Sequence, residues 1–263
     1  MAAKILADPE LAPYRQVKTR SILWLLILVP SLSPGEETLI AVATNFQPVM
    51  QQLADDFQSS SPHRIRLSSG STGLLFAQIK NGAPFDAFFA ADQARPAALE
   101  ASGLGVAGSR FTYAEGRLAF WSNDPELVRD DFEDSLRSGR LRVLAIANPD
   151  LAPYGQAARS AIEAALASDP LEAKQVFGEN VGQAFSLVAT GNADAGVIAL
   201  SAVIQKPEWL QGAYLEVPAD LHPPIRQDAL LLRRGKQNEA AIRFLAFLQE
   251  EGVRKTIKAS GYR

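Results

Sequence analysis

The sequence predicts an α/β protein of two lobes with a ligand cleft between them. Three observations support this prediction. Short apolar runs alternate with amphipathic stretches from Thr38 onward, the alternation restarts near Leu118, and a final strand and helix are left over at the C-terminus. Strands that alternate with helices are typical of sheets wrapped by helices. The leftover C-terminal elements indicate that the chain returns to its first lobe.

The first half of the chain contains three β–α units. Strands are predicted at 39–43, 64–68 and 86–90. The first helix is indicated by apolar residues with helical spacing, namely Phe46, Val49, Met50, Leu53 and Phe57. The second helix begins near Leu74 and stops at Asn81-Gly82, a C-terminal cap pair, and the third contains 96–101. Units of this kind predict a parallel sheet.

The second half repeats the alternation. Apolar runs at 118–122, 143–147, 195–200 and 229–232 predict strands, and the stretches 157–167, 181–189 and 239–249 predict helices. We expect one lobe from 36–114 with 223–263 and the other from 115–222. A hinge between two such lobes leaves a cleft, which is a natural ligand site.

The N-terminal segment 1–35 is predicted to be a secretory signal peptide. Arg15, Lys18 and Arg20 precede an apolar run at 22–29, and small or turn-forming residues follow it. Eight helical residues span about 12 Å, whereas a bilayer core is about 30 Å thick. An uncleaved membrane anchor is the alternative. Export of a cysteine-free, mildly acidic chain predicts a periplasmic location.

The composition excludes several function classes. Among 263 residues, 26 are basic and 29 acidic, for a net charge of −3, which argues against nucleic-acid binding. The absence of cysteine excludes disulfides, thiolate metal sites and Cys nucleophiles. Only His63 and His222 could serve a metal site or a Ser–His pair, and they lie far apart in the sequence. We therefore expect a monomeric binding protein without catalytic residues, cofactor or metal cation.

Four strand-to-helix junctions carry hydroxyl or amide side chains: 43–45, 68–73, 149–155 and 180–182. Helix N-termini have free N–H groups and a favourable dipole, so several of them can bind a small oxyanion without Lys or Arg. The alternative is ordinary helix capping, for which Ser, Thr and Asn are preferred. The 68–73 segment is not a phosphate-binding P-loop, because no Gly-Lys-Ser/Thr follows it.

Five segments in order along the chain resemble the periplasmic molybdate-binding proteins of ABC transporters. They are Ala-Thr-Asn-Phe (43–46), Ser-Ser-Gly-Ser-Thr-Gly (68–73), the stretch 77–92 with Gly-Ala-Pro-Phe-Asp, Asn-Pro-Asp-Leu-Ala-Pro-Tyr-Gly (148–155) and Asn-Val-Gly-Gln-Ala (180–184). The resemblance covers about 38–262. It implies a two-lobe type II periplasmic-binding-protein fold, a cleft that takes molybdate or tungstate, and a membrane permease as partner.

The resemblance also implies the ligand-binding residues, which are Thr44, Asn45, Ser71, Thr72, Tyr154 and Val181. Thr72 stands where the family usually has Ser, and Val181 corresponds to a position that donates its backbone N–H. Some members place a Tyr late in the chain, where this sequence has Ala199. Two alternatives stay open: another tetrahedral oxyanion such as sulfate, or an enzyme on a related two-lobe fold.

Overall fold

The computed structural model of the protein describes residues 35–167, 169–208 and 210–263. The expected signal peptide lies outside these residues except for Gly35, so its prediction is untested. In the described ranges, no helix has both the length and the apolar character needed to cross a membrane.

The first sheet has the strand order β2-β1-β3-β10-β4. Its strands are β1 (Glu37–Ala43), β2 (Arg64–Gly70), β3 (Ala87–Phe89), β4 (Phe111–Gly116) and β10 (Ile225–Leu231). β1 pairs in parallel with β2 and β3, but β10 pairs antiparallel with both β3 and β4. The three strands predicted in the first half are therefore parallel to one another, as expected, whereas the returning strand β10 is antiparallel to its neighbours. β4 leads out of the first sheet and β10 brings the chain back, so these neighbouring strands run in opposite directions.

The second sheet repeats the same plan in the order β7-β6-β8-β5-β9. Its strands are β5 (Leu118–Ser122), β6 (Val143–Ala147), β7 (Lys174–Gly178), β8 (Ala195–Ala199) and β9 (Ala213–Glu216). β6 pairs in parallel with β7 and β8, and β5 pairs antiparallel with β8 and β9. Each sheet thus has four strands that run in one direction and a single reversed strand, β10 in the first sheet and β5 in the second.

Nine α-helices flank the two sheets in the described part of the chain. They are α1 (Gln47–Ser60), α2 (Thr72–Lys80), α3 (Ala94–Ala101), α4 (Phe132–Leu136), α5 (Pro153–Leu166), α6 (Val181–Ala189), α7 (Leu200–Ile204), α8 (Glu239–Phe247) and α9 (Glu251–Ala259). Sequence periodicity found six of them and missed α4, α7 and α9. The first two have only five residues each, and α9 buries only Val253 and Ile257.

Apolar packing holds each helix to its sheet. In α1, the predicted residues Val49, Met50, Leu53 and Phe57 are all buried, and they share a core with Phe244 of α8. Burying one such side chain contributes roughly 1.5–3 kcal/mol. Pro48 lies in the first turn of α1, where its missing N–H leaves no hydrogen bond broken. The C-terminal helices therefore pack on the first sheet, as the leftover elements predicted.

Candidate functional site

The four polar junctions all follow the carboxyl ends of parallel strands. Thr44 comes directly after β1, Ser71 after β2, Asn148 after β6 and Glu179 after β7. In α/β sheets, ligands bind outside the carboxyl ends of the strands. The strand arrangement of both sheets thus places these loops where a ligand is expected.

One small cavity lies between the junctions. Its lining includes all six residues predicted from the sequence, Thr44, Asn45, Ser71, Thr72, Tyr154 and Val181, together with Ala43, Gly70, Ala91, Ala152, Pro153 and Asn180. The first lobe contributes the loops after β1 and β2, and the second contributes the starts of α5 and α6. Among these described lining residues, none is charged. Such a small cavity suits a small ion.

Two glycines bring the lobes into contact beside this cavity. The N–H of Gly73 in α2 donates to the carbonyl of Leu151, before α5, at 2.9 Å. A Cβ atom at Gly73 would lie 2.8 Å from that carbonyl oxygen, and one at Gly182 would lie 2.6 Å from Thr44 Cγ2. Real Cβ atoms essentially never make contacts under 3.0 Å. The two helix starts can therefore meet the opposite lobe only because these positions lack side chains.

The hydroxyl groups of Ser71 and Thr72 are buried and keep a proton to donate. Thr72 Oγ1 accepts a hydrogen bond from the N–H of Ala91 at 3.0 Å. Ser71 Oγ accepts from the N–H of Leu74 at 3.4 Å, as the N-cap of α2. A hydroxyl that already accepts from an N–H still has its own proton free to donate. Ser71 is thus both a helix cap and a cavity residue, so the two interpretations of this junction are compatible.

Residues at three helix starts also line the cavity. Thr72, Tyr154 and Val181 lie in the first turns of α2, α5 and α6. There, an N–H has no carbonyl four residues earlier within its own helix. In the first turns of these three helices, all within the described ranges, no residue is acidic. The positive end of each helix dipole is therefore not neutralised locally.

The side chains of Asn45 and Tyr154 point to partners that the sequence did not reveal. Asn45 Nδ2 donates to Gln227 Oε1 at 2.8 Å and to the Tyr262 hydroxyl at 3.2 Å. The Tyr154 hydroxyl accepts from Gln227 Nε2 at 3.2 Å. Burial raises the pKa of Tyr154 well above its usual value, and nearby Tyr262 adds to the rise. The phenol is therefore neutral at any physiological pH and adds no negative charge beside the cavity.

The two carboxylates that flank β3, Asp86 and Asp92, have structural partners. Asp92 Oδ1 accepts from the backbone N–H of Arg95 at 2.9 Å, and its other oxygen pairs with the Arg95 guanidinium. Asp86 accepts from Leu39 N–H at 3.0 Å and pairs with Arg234 at 3.2 Å. These contacts give both carboxylates structural roles in turns and helix capping. In the described part of the chain, no cluster of His, Asp and Glu is arranged to hold a metal ion.

Sequence reasoning missed the residues behind the cavity, which are Tyr113, Ser201, Gln227 and Tyr262. All four are buried and hydrogen-bonded to one another or to Asn45. A weak signal existed for Gln227, since Gln-Asp interrupts the apolar strand β10 and a buried polar pair in a strand needs partners. Tyr262 gave none, because nothing local distinguishes a tyrosine in a C-terminal turn.

Comparison with known proteins gives a consistent result. Residues 38–263 match the family described as bacterial extracellular solute-binding protein. The molybdate-binding protein ModA of Azotobacter vinelandii is 42% identical over 235 residues, which are 89% of this chain and 93% of that protein. ModA of Rhodobacter capsulatus is 38% identical over 226 residues, 86% of this chain and 88% of that protein.

The solved structures agree with the sequence comparison. The periplasmic molybdate-binding protein of Azotobacter vinelandii superposes with a TM-score of 0.78 at 36% identity, covering 86% of this chain and 98% of that one. This likeness, with the paired five-stranded sheets, confirms the predicted α/β fold of two lobes.

Proposed function

The chain belongs to the bacterial extracellular solute-binding protein family, and on that premise we propose that it captures molybdate in the periplasm and delivers it to an ABC transporter. Its relatives are named for binding a solute, so the protein is a binding protein and not an enzyme. The observation that carries the proposal is the small uncharged cavity between the lobes, where several donors converge.

We propose that Thr44, Asn45, Ser71, Thr72, Tyr154 and Val181 hold the oxyanion. Support comes from the hydroxyl protons of Ser71 and Thr72 and from the first-turn N–H groups of α2, α5 and α6, which surround one cavity. A hydrogen bond to a charged group contributes roughly 1.5–3 kcal/mol. Several such bonds, together with three helix dipoles, offset the cost of removing a dianion from water. A buried cation is therefore not required.

The ligand is selected by size and donor geometry, since the described lining residues carry no charge. Molybdate and tungstate are tetrahedral dianions of nearly equal size, so the protein should bind both in competition. Sulfate has the same shape and charge but is smaller, and its oxygens cannot reach all the donors of a cavity built for molybdate. Sulfate is nevertheless the second candidate, because nothing in the donor chemistry rejects it.

Calorimetric titration of the protein lacking 1–35 with molybdate, tungstate, sulfate and phosphate tests this proposal. We expect molybdate and tungstate to bind with a stoichiometry of one and to compete, and sulfate to bind much more weakly. Preferential binding of sulfate would contradict molybdate as the ligand and would support sulfate, the second candidate. Binding of none of the four anions would remove the oxyanion proposal altogether.

The remaining features of the proposal concern export, assembly and partners. We propose that 1–35 is cleaved on export, which mass spectrometry of the mature N-terminus tests; a mature chain starting at Met1 would contradict it. We further propose that the protein is a monomer that presents its closed lobes, 36–114 with 223–263 and 115–222, to a membrane permease. Light scattering of the ligand-bound protein tests the monomer, and a stable dimer would contradict it.

A further inference from the structure

Gln227 lies at the centre of the polar groups behind the cavity. It belongs to β10, and its side chain is fully buried. Its Oε1 accepts from Asn45 Nδ2 at 2.8 Å and from the Tyr113 hydroxyl at 3.0 Å. Its Nε2 donates to the Tyr154 hydroxyl at 3.2 Å. One amide therefore holds three side chains, two of which belong to cavity residues.

The oxygen and the nitrogen of the Gln227 side-chain amide bond residues of different lobes. Asn45 and Tyr113 belong to the first lobe, at the end of β1 and in β4, whereas Tyr154 lies in the first turn of α5 in the second lobe. The bond from Gln227 to Tyr154 thus spans the hinge. The bond from Tyr113 stays within the first lobe, where its single hydroxyl proton is shared between Gln227 Oε1 and the carbonyl of Ala90, each at 3.0 Å.

The backbone leaves a space for the bond that spans the hinge. Gly116 is the last residue of β4, where the chain passes from the first sheet to the second. A Cβ atom at Gly116 would overlap the Tyr154 hydroxyl and would lie 2.8 Å from Gln227 Nε2. No other residue type at 116 would leave room for this hydrogen bond.

Asn45 is held from the opposite side by a second contact between the lobes. The Tyr262 hydroxyl donates to the carbonyl of Asn45 at 2.7 Å, and Ser201 Oγ, in α7, donates to that hydroxyl at 3.1 Å. Ser201 follows β8 of the second sheet, and Tyr262 packs on Phe46 of the first lobe with ring centroids 5.3 Å apart. Asn45 is thus held by Gln227 and Tyr262 of its own lobe, and Ser201 of the second lobe joins this network through the Tyr262 hydroxyl.

We infer that Gln227 is a positioning residue that couples lobe closure to the geometry of the anion cavity, by bonding Asn45 of one lobe and Tyr154 of the other across the gap left by Gly116. The inference rests on the proposed function, since it assumes that closure encloses an anion. When the lobes separate, water replaces Tyr154 at Gln227 Nε2. Loss of the Tyr154 hydroxyl therefore disfavours the closed state without removing the backbone N–H of Tyr154 from the cavity.

Two matched variants separate this role from simple structural support. Tyr154→Phe removes the hydroxyl that bonds Gln227 across the hinge, and Tyr113→Phe removes the hydroxyl that bonds the same amide within one lobe. Both changes delete one buried phenolic oxygen, so both should lower the thermal midpoint of the ligand-free protein. Only Tyr154→Phe should weaken molybdate binding, by about three- to tenfold, the equivalent of one neutral hydrogen bond.

The experiment measures affinity by calorimetry and molybdate release by stopped-flow competition for the wild type and both variants. We expect the loss in Tyr154→Phe to appear as faster release, because release requires opening, and Tyr113→Phe to stay within about twofold of the wild type. Gly116→Ala should behave like Tyr154→Phe. Equal losses in the two Phe variants, or no loss in Tyr154→Phe, would overturn the inference.

The proposed function is judged separately, from the wild-type titration alone. If the wild type prefers sulfate, the same variants are compared with sulfate, and the inference stands or falls on that comparison. If the wild type binds none of the four anions, the proposed function and this inference both fail.

Discussion

The hydroxyl of Thr72 accepts a hydrogen bond from the backbone N–H of Ala91 at 3.0 Å. This bond links the first residue of α2 to the loop after β3 and fixes the orientation of the threonine side chain. Its hydroxyl proton is then directed away from Ala91 and remains available to a ligand. The same contact gives Thr72 a role that helix capping alone does not explain.

We expect Thr72→Ala and Ser71→Ala each to weaken molybdate binding about tenfold to a hundredfold. Each loses one hydrogen bond to a charged ligand, worth roughly 1.5–3 kcal/mol, and about 1.4 kcal/mol corresponds to a factor of ten. Thr72→Ser keeps the hydroxyl and should stay within a few-fold of the wild type. Titration of folded variants, checked by circular dichroism, is the measurement. Unchanged affinity in both Ala variants would show that these hydroxyls have structural roles only and do not bind the ligand.

Gly182→Ala should weaken binding more than any conservative change at Val181. The added Cβ would lie 2.6 Å from Thr44 Cγ2, so the Thr44 side chain or the second lobe would have to shift. Val181→Ala should change affinity little, because the backbone N–H survives. Gly252→Ala is the matched control: a Cβ there meets no atom within 4 Å, and Ala in place of helical Gly stabilises by about 0.5–1 kcal/mol. Wild-type affinity in Gly182→Ala would show that the lobes need not meet at Thr44.

Treatment with a metal chelator should leave oxyanion binding unchanged. The donors that line the cavity are hydroxyl and N–H groups, and the described lining residues carry no carboxylate or imidazole to hold a bridging cation. The test compares molybdate titrations before and after dialysis against EDTA. A loss of binding that added Mg²⁺ or Ca²⁺ restores would contradict a site built from neutral donors.

The stability of the protein should fall as the pH rises from about 10 to 12. Burial raises the pKa of Tyr262 to about 12, from a usual value of 10.0, and also raises the pKa of Tyr154. Between these values the unfolded chain releases phenolic protons that the folded chain retains, so the free energy of unfolding decreases with pH. Below pH 10 these groups add no pH dependence. Urea unfolding at pH 8, 10 and 11 measures the slope.

Tyr262→Phe is the control for this pH dependence. The variant should be less stable at pH 8, because hydrogen bonds at Asn45 and Ser201 are lost, yet its stability should fall less between pH 10 and 11. A slope equal to that of the wild type would show that Tyr262 does not ionise with a raised pKa.

Much of the fold could be predicted because its signals are local. The apolar runs of β5 and β6 and the periodicity of α6 predicted their ends to the residue. β7 escaped detection because it is an edge strand with mostly solvent-accessible side chains, including Lys174 and Gln175. β10 runs antiparallel to its neighbours because the chain returns to the first sheet from the second. No local sequence pattern indicates this return path.

The candidate site, like the fold, could be predicted only in part. Its loops could be predicted because hydroxyl-rich helix starts are local motifs, and all six predicted residues line one cavity. The groups that hold them could not, since Asn45 is separated from Gln227 by 182 residues and from Tyr262 by 217. Contacts over such distances follow only from the assembled sheets.

The anion position in a crystal of the molybdate complex tests the central claim most directly. Anomalous diffraction at the molybdenum absorption edge locates the metal without reference to the protein coordinates. We predict one peak between the lobes, with the molybdate oxygens within hydrogen-bonding distance of Thr72 Oγ1 and of the backbone N–H groups of Tyr154 and Val181. A peak elsewhere on the molecule, or none in crystals grown with excess molybdate, would contradict the account.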